Sequence, residues 1–158
     1  MIFAALYATI TIVFAPFSYL IFQSRISETL IAFIPFYGWP VVLGLTLGTL
    51  LSNIISPVGL IDLFVGTLAT FLGSLPIYIL KKRPRYLILG FISYALIVSI
   101  LVSFELSIVF AIPFLMVFPE LMIGESISAV LGASLLYFQL RRTHLPYAPH
   151  DPQDHIQD

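Results

Sequence analysis

Cysteine is absent from the 158 residues, which removes disulfides, thiolate metal sites and a cysteine nucleophile together. Charge is scarce: Asp, Glu, Lys and Arg make up 9% of the chain, against about 25% in a soluble domain. The net charge of −1 leaves no basic footprint for nucleic acid. Histidine occurs only at His144, His150 and His155, near the end, where a solvated tail explains it better than a metal site. There is no Gly-rich phosphate loop ending in Lys-Ser/Thr, no Gly-x-Ser-x-Gly and no His-Glu-x-x-His. Without an ATPase motif the chain cannot couple transport to ATP by itself. No nucleophile–base pair or metal-ligand set marks an enzyme, and no cofactor is implied.

What remains is apolar. Hydrophobic residues make up 59% of the chain and the mean hydropathy is +1.05, the composition of an integral membrane protein. The spacing between charges suits helices of about 20 residues rather than the alternating ten-residue strands of a barrel. The start, Met1-Ile2-Phe3-Ala4, has no basic leader, so a removable signal peptide is not expected.

The expected architecture is an all-α integral membrane protein, a compact bundle of six transmembrane helices with a short second helix and an outer entry loop. Residues 1–142 form the membrane domain and 143–158, rich in Pro, His, Asp and Gln, a disordered tail. Ile2 to Phe22 is the first span, with Pro16 near its far end. The long apolar run between Glu28 and Asp62, broken by Pro35, Gly38 and Pro40, holds a short second helix ending near Tyr37 and a third from Pro40 to about Ile54. Leu60 to Leu80 is the fourth span and Tyr86 to Phe104 the fifth. Pro113, Pro119 and Gly124 predict a broken or re-entrant piece before a sixth span from about Ile123 to Leu140.

Six of the seven basic residues (Lys81, Lys82, Arg83, Arg85, Arg141 and Arg142) then share the side of both termini, which places the termini in the cytoplasm. Arg25 lies opposite, in the hexapeptide Gln23-Ser24-Arg25-Ile26-Ser27-Glu28 that interrupts the first uncharged stretch. A charge at the bilayer centre costs roughly 2.5–3.5 kcal/mol, so such residues face a cavity or a partner. Nine residues of α-helix from Glu28 to Tyr37 cover about 14 Å, less than a core of about 30 Å. Arg25 and Glu28 are therefore expected inside the protein, below the outer surface, roofing a ligand pocket.

Topology gathers Glu28, Asp62, Glu105, Glu120, Glu125 and Asn53 toward the outer half. Each admits two readings. Arg25 and Glu28 either pair with each other or meet a ligand. Asp62 either caps the fourth helix or binds, and Asn53 either satisfies loop carbonyls or binds. Glu125, within an apolar stretch after Gly124, is read as a ligand residue. Glu105 and Glu120 are read as solvated at the outer edge. Two stripes of small residues, Ala4/Ala8/Thr11/Ala15 and Gly44/Gly48/Ser52, each suit either internal packing or another protein.

Taken in order, Ala4-Ala-Leu-Tyr-Ala8 with Ala15-Pro16-Phe-Ser18, Arg25-Ile-Ser-Glu28, Gly44-Leu-Thr-Leu-Gly48 with Asn53 and Ser56-Pro57, Asp62 with Gly66-Thr-Leu-Ala-Thr70, and Gly124-Glu125 resemble the QueT family. These are substrate-binding (S) components of energy-coupling factor transporters, thought to take up queuosine precursors. The resemblance implies a six-helix bundle in the cell membrane that captures a micronutrient on its outer side. It also implies docking on a transmembrane coupling subunit driven by two cytoplasmic ATPases, and a docking role for Ala4, Ala8 and Thr11. A 7-deazaguanine offers adjacent N–H donors that a carboxylate accepts together, and a carbonyl for Asn53 or Arg25. Arg25, Glu28, Asn53, Asp62 and Glu125 suit it, with Phe17, Tyr19 and Phe22 stacking on the ring. The alternatives are an S component for another vitamin or purine-like compound, and a structural membrane protein whose acids pair internally.

Overall fold

In the computed structural model of the chain, residues 1–15 and 25–143 are described, and all regular structure among them is helical. Among the described residues the α-helices are α1 (Ile2–Val13), α2 (Ile34–Tyr37), α3 (Trp39–Asn53), α4 (Leu60–Leu80), α5 (Leu87–Phe110) and α6 (Phe114–Thr143). A 3-10 segment, Ile26–Phe33, runs into α2, and a 3-10 turn, Pro84–Tyr86, leads into α5. Leu60–Leu80, Leu87–Phe110 and Phe114–Phe138 are long and apolar enough to cross a membrane. Ile2–Val13, Ile26–Tyr37 and Trp39–Asn53 are shorter apolar pieces.

The helices close a ring. α1 packs on α3, α3 on α4, α4 on α5 and α5 on α6; α6 meets the 3-10 segment, which returns to α1. One end gathers aromatic rings: Phe3 lies 5.7 Å from Tyr37, Trp39 lies 4.8 Å from Tyr78, and the Lys81 ammonium sits 4.2 Å above the Tyr78 ring. Gly38, between α2 and α3, belongs to this end with φ of 65°, a conformation that favours glycine. A side chain there would also strike the Lys81 ammonium. The opposite end brings Arg25 to Asp62 and Asn53.

Leu60–Leu80 has the expected bounds, and Trp39–Asn53 begins and ends one residue from them. Elsewhere the structure corrects the expectation. The first helix stops at Val13 instead of continuing to Phe22. Phe14 leaves the helical conformation, with φ of −97° and ψ of 25°, and its N–H closes the last turn on Ile10 O at 3.0 Å. The fifth helix continues to Phe110, because nothing between Phe104 and Phe110 breaks the periodicity. The sixth is continuous from Phe114, with neither a break nor a re-entrant piece. Pro113 precedes it and Pro119 sits in its second turn, where the missing N–H forfeits a single bond, to the first-turn carbonyl of Leu115.

The stretch from Ile26 to Phe33 is 3-10 rather than α. Pro35 opens α2, and its ring disfavours the close α-helical approach of the carbonyl four residues earlier, that of Ile31. Thr29 Oγ1 also donates to Ile26 O at 2.8 Å, a local bond that competes with the α pattern. At about 2.0 Å per residue, Ile26–Tyr37 extends about 22 Å, further than an α-helix of that length. Tyr19, Phe22 and the expected entry loop lie outside the described residues, as does the tail beyond residue 143.

Candidate functional site

Four acids and one base are buried among the described residues: Glu28 at 1% exposed, Asp62 at 2%, Glu105 at 3%, Glu125 at 4% and Arg25 at 6%. They lie in two layers.

The layer nearer the Asn53 end is held by Asp62. Arg25 Nη2 donates to Asp62 Oδ2 at 3.5 Å. Asn53 Nδ2, at the last residue of α3, donates to the Asp62 carbonyl at 2.8 Å and to Oδ1 at 3.1 Å. Gly66, one turn further along α4, permits this approach, since a Cβ there would collide with both the Asn53 amide and the Asp62 carboxylate. Ser128 of α6 donates to the Arg25 carbonyl at 3.4 Å and ties the head of the 3-10 segment to the last helix. Asp62 lies in the first turn of α4, and its carboxylate meets Arg25 and Asn53. Arg25 therefore reaches across 37 residues of sequence for a partner.

Below this layer, Arg25, Glu28, Gly66, Thr70, Val98, Val102 and Glu125 enclose a cavity of about 10 Å³, room for about one water molecule. Glu28 and Glu125 both line this cavity. Glu125 is eleven residues into α6, about 16 Å along the helix. Thr70 donates to Gly66 O at 3.1 Å and meets the Thr49 hydroxyl at 3.1 Å. Thr11 of α1 meets Ser27 at 2.7 Å, which fixes the 3-10 segment on its far side.

This interior leaves polar atoms unused. Among the described residues, Glu28 Oε2, Glu125 Oε2, both Glu105 oxygens, Asn53 Oδ1, the hydroxyls of Tyr7 and Tyr94, and those of Ser99 and Ser103 are buried without a hydrogen-bond partner. Folded proteins leave few such atoms, and each calls for an explanation. All of these are oxygens, and the carboxylates among them only accept when ionised. The four hydroxyls also carry an O–H each, so it is the carboxylate oxygens and Asn53 Oδ1 that a molecule bearing N–H groups would satisfy. No group of three or more His, Asp or Glu side chains among the described residues is placed to hold a metal ion.

The structure gathers Arg25, Glu28, Asn53, Asp62 and Glu125 at one locus; Tyr19 and Phe22 lie outside the described residues. Ala4, Ala8 and Thr11 are buried within the chain. Side chains added at Gly44 and Gly48 would strike Phe3, Ala4 and Tyr7, so the two small-residue stripes pack α1 on α3. Ala4, Ala8 and Thr11 thus lie on a face of α1 that packs on the chain's own third helix and 3-10 segment. Glu105 is another correction: it is buried, with both carboxyl oxygens out of contact with solvent, not solvated at an edge. Glu120 is half-buried. Tyr94, Val98, Val102 and Glu105 follow i, i+4, i+8, i+11 on one face of α5, a spacing that could have assigned Glu105 to the interior from sequence. Tyr7 and Thr70 were also missed as candidates.

A ring of apolar helices closed around a buried acid cluster defines a helical membrane protein with an enclosed polar site. Residues 1–141 match the QueT transporter family, and the chain belongs to it. Its class is thus that of membrane transporters for small molecules. No curated protein and no solved structure matches the chain.

Proposed function

We propose that the chain is the substrate-capture (S) subunit of an energy-coupling factor importer in the cell membrane. In this reading its six helical passes cross the bilayer with both termini cytoplasmic. It binds a 7-deazaguanine queuosine precursor from the outer side and docks on a coupling subunit driven by two ATPases. The observation that carries the reading is the set of unpartnered acceptors, Glu28 Oε2 and Glu125 Oε2 foremost, buried around one cavity. Vicinal N–H donors of the ring would satisfy a carboxylate with charge-assisted bonds, each about 1.5–3 kcal/mol net.

A cavity of about 10 Å³ is closed to a bicyclic ring; ligand sites typically span about 300–1,000 Å³. Binding therefore requires the walls to part. The 3-10 segment that carries Glu28 is the wall to move, because its poorer hydrogen-bond geometry resists displacement less than the flanking α-helices. The test is a titration of the purified subunit with 7-aminomethyl- and 7-cyano-7-deazaguanine. Binding of either at micromolar concentration or below is expected. Failure of both, with another vitamin co-purifying, moves the substrate elsewhere.

The committed Arg25–Asp62–Asn53 network favours a second reading, a structural membrane protein whose acids serve only the fold. It predicts that Glu28→Gln and Glu125→Gln lower thermal stability with no ligand to lose. The capture reading predicts lost binding with little change in stability.

A further inference from the structure

At its aromatic end the chain concentrates positive charge that it does not itself neutralise. Lys81, Lys82, Arg83 and Arg85 crowd into five consecutive positions, between Leu80 at the end of α4 and Leu87 at the start of α5. The Arg83 N–H bonds to Leu80 O and the Tyr86 N–H to Arg83 O, each at 2.8 Å, which coils the connection into tight turns. Lys81 is half-buried. Its ammonium sits 4.2 Å above the Tyr78 ring and against Gly38, where a Cβ would strike it. Lys82, Arg83 and Arg85 are exposed. Among the described residues none of the four forms an ion pair, and the salt bridge, Arg25 to Asp62, lies at the opposite end.

Helix stability does not account for the whole cluster. Cations are favourable after the C-terminus of α4, which suits Lys81 and Lys82, but unfavourable just ahead of the N-terminus of α5, where Arg85 stands. The aromatic side chains at this end are partly exposed as well: Tyr37 at 61%, Tyr86 at 47% and Trp39 at 42%.

We propose that the connection between α4 and α5 is a binding surface for anionic phospholipid, with Lys82, Arg83 and Arg85 meeting the headgroup phosphates of the adjoining leaflet. Phosphate accepts charge-assisted bonds from all three, and each planar guanidinium can give it two in parallel. Exposed Trp and Tyr rings mark headgroup depth. The connection is too short to lift its charges clear of that layer toward a protein beyond the membrane, which favours lipid over an acidic protein surface as the occupant. Each basic group near a membrane surface adds to the attraction for anionic lipid, within a range set by the Debye length.

The chain's one tryptophan makes this surface observable, since Trp39 lies 4.8 Å from the same Tyr78 ring that carries Lys81. The test is Trp39 fluorescence of the full chain in phosphatidylcholine bilayers containing a fixed fraction of brominated phosphatidylglycerol or brominated phosphatidylcholine. Both leaflets carry the quencher, so the orientation of the reconstituted protein does not matter. At low salt the quenching should give phosphatidylglycerol a relative affinity roughly three- to tenfold above phosphatidylcholine. The preference should shrink toward equality in about 1 M salt, and in the triple variant Lys82→Gln, Arg83→Gln, Arg85→Gln. Equal quenching by the two lipids overturns the proposal and leaves the connection to an acidic protein surface. A preference abolished by inorganic phosphate, but not by chloride at the same ionic strength, also overturns it, because the site then takes free phosphate. So does a preference that survives in the triple variant. If that variant does not fold, the unaltered chain decides: a preference indifferent to salt is not electrostatic and sinks the idea.

Discussion

Arg25 and Asp62 form the ion pair on which the layer at the Asn53 end rests, and each is costly to remove alone. Arg25→Gln leaves the Asp62 carboxylate buried with only Asn53 to solvate it, a loss of about 3–5 kcal/mol for a broken buried pair. Asp62→Asn removes the carboxylate that the guanidinium meets. The double variant should recover part of the loss, and thermal unfolding of the four proteins in one detergent measures the coupling. Strict additivity would show that the contact, single-pronged at 3.5 Å, contributes nothing. Gly66→Ala tests the same layer by sterics. Its methyl collides with Asn53 and Asp62, so a destabilisation of about 1–3 kcal/mol is expected together with weaker ligand binding. Sequence made Arg25 and Glu28 stand out because charge inside an apolar run is rare. It did not reveal Arg25's partner, since no local spacing rule links residues 37 apart. Glu105 escaped for a related reason. A charge near the end of a span resembles an interfacial one until the face it occupies is known, and only the packing of α5 on α4 decides that.

The joint between α1 and α3 is where the two small-residue stripes are used. Gly48→Leu should lower the unfolding temperature of the isolated subunit markedly, because its side chain would occupy the space of Tyr7 and the Ala4 carbonyl. Leu47→Val, on an outward position 44% exposed, should leave that temperature nearly unchanged. Ala8→Leu separates packing from docking. With Ala8 turned inward, it should destabilise the subunit alone, whereas a stripe reserved for a partner would weaken only assembly. Helix limits were legible where local chemistry sets them: Gly59 before Leu60, and Lys81 after Leu80. They were not legible where an element departs from the α form. Pro35 announced a discontinuity, but the conversion of the preceding eight residues to 3-10 geometry depends on their being clamped between α1 and α6. Pro119 misled in the opposite direction, because a proline ends a helix from its interior and is tolerated near its start.

At the scale of the molecule, the ring sets its two ends apart chemically. The end carrying Phe3, Tyr37, Trp39, Tyr78 and Lys81 has aromatic rings and a cation, the pairing that marks a membrane–water interface. Lys82, Arg83 and Arg85 follow at the same end and are exposed. Basic residues are retained on the cytoplasmic side during insertion, so this end should face inward and the Asp62 end outward. The proteins's lack of cysteine makes the orientation directly measurable, since a single introduced thiol has no background. Ile55→Cys, exposed in the turn after α3, should react with a membrane-impermeant maleimide in intact cells. Lys82→Cys, exposed between α4 and α5, should react only after permeabilisation. The reverse pattern would place the acid site beneath the cytoplasmic face, where it could not collect a solute from outside, and capture from the outer side would have to be abandoned.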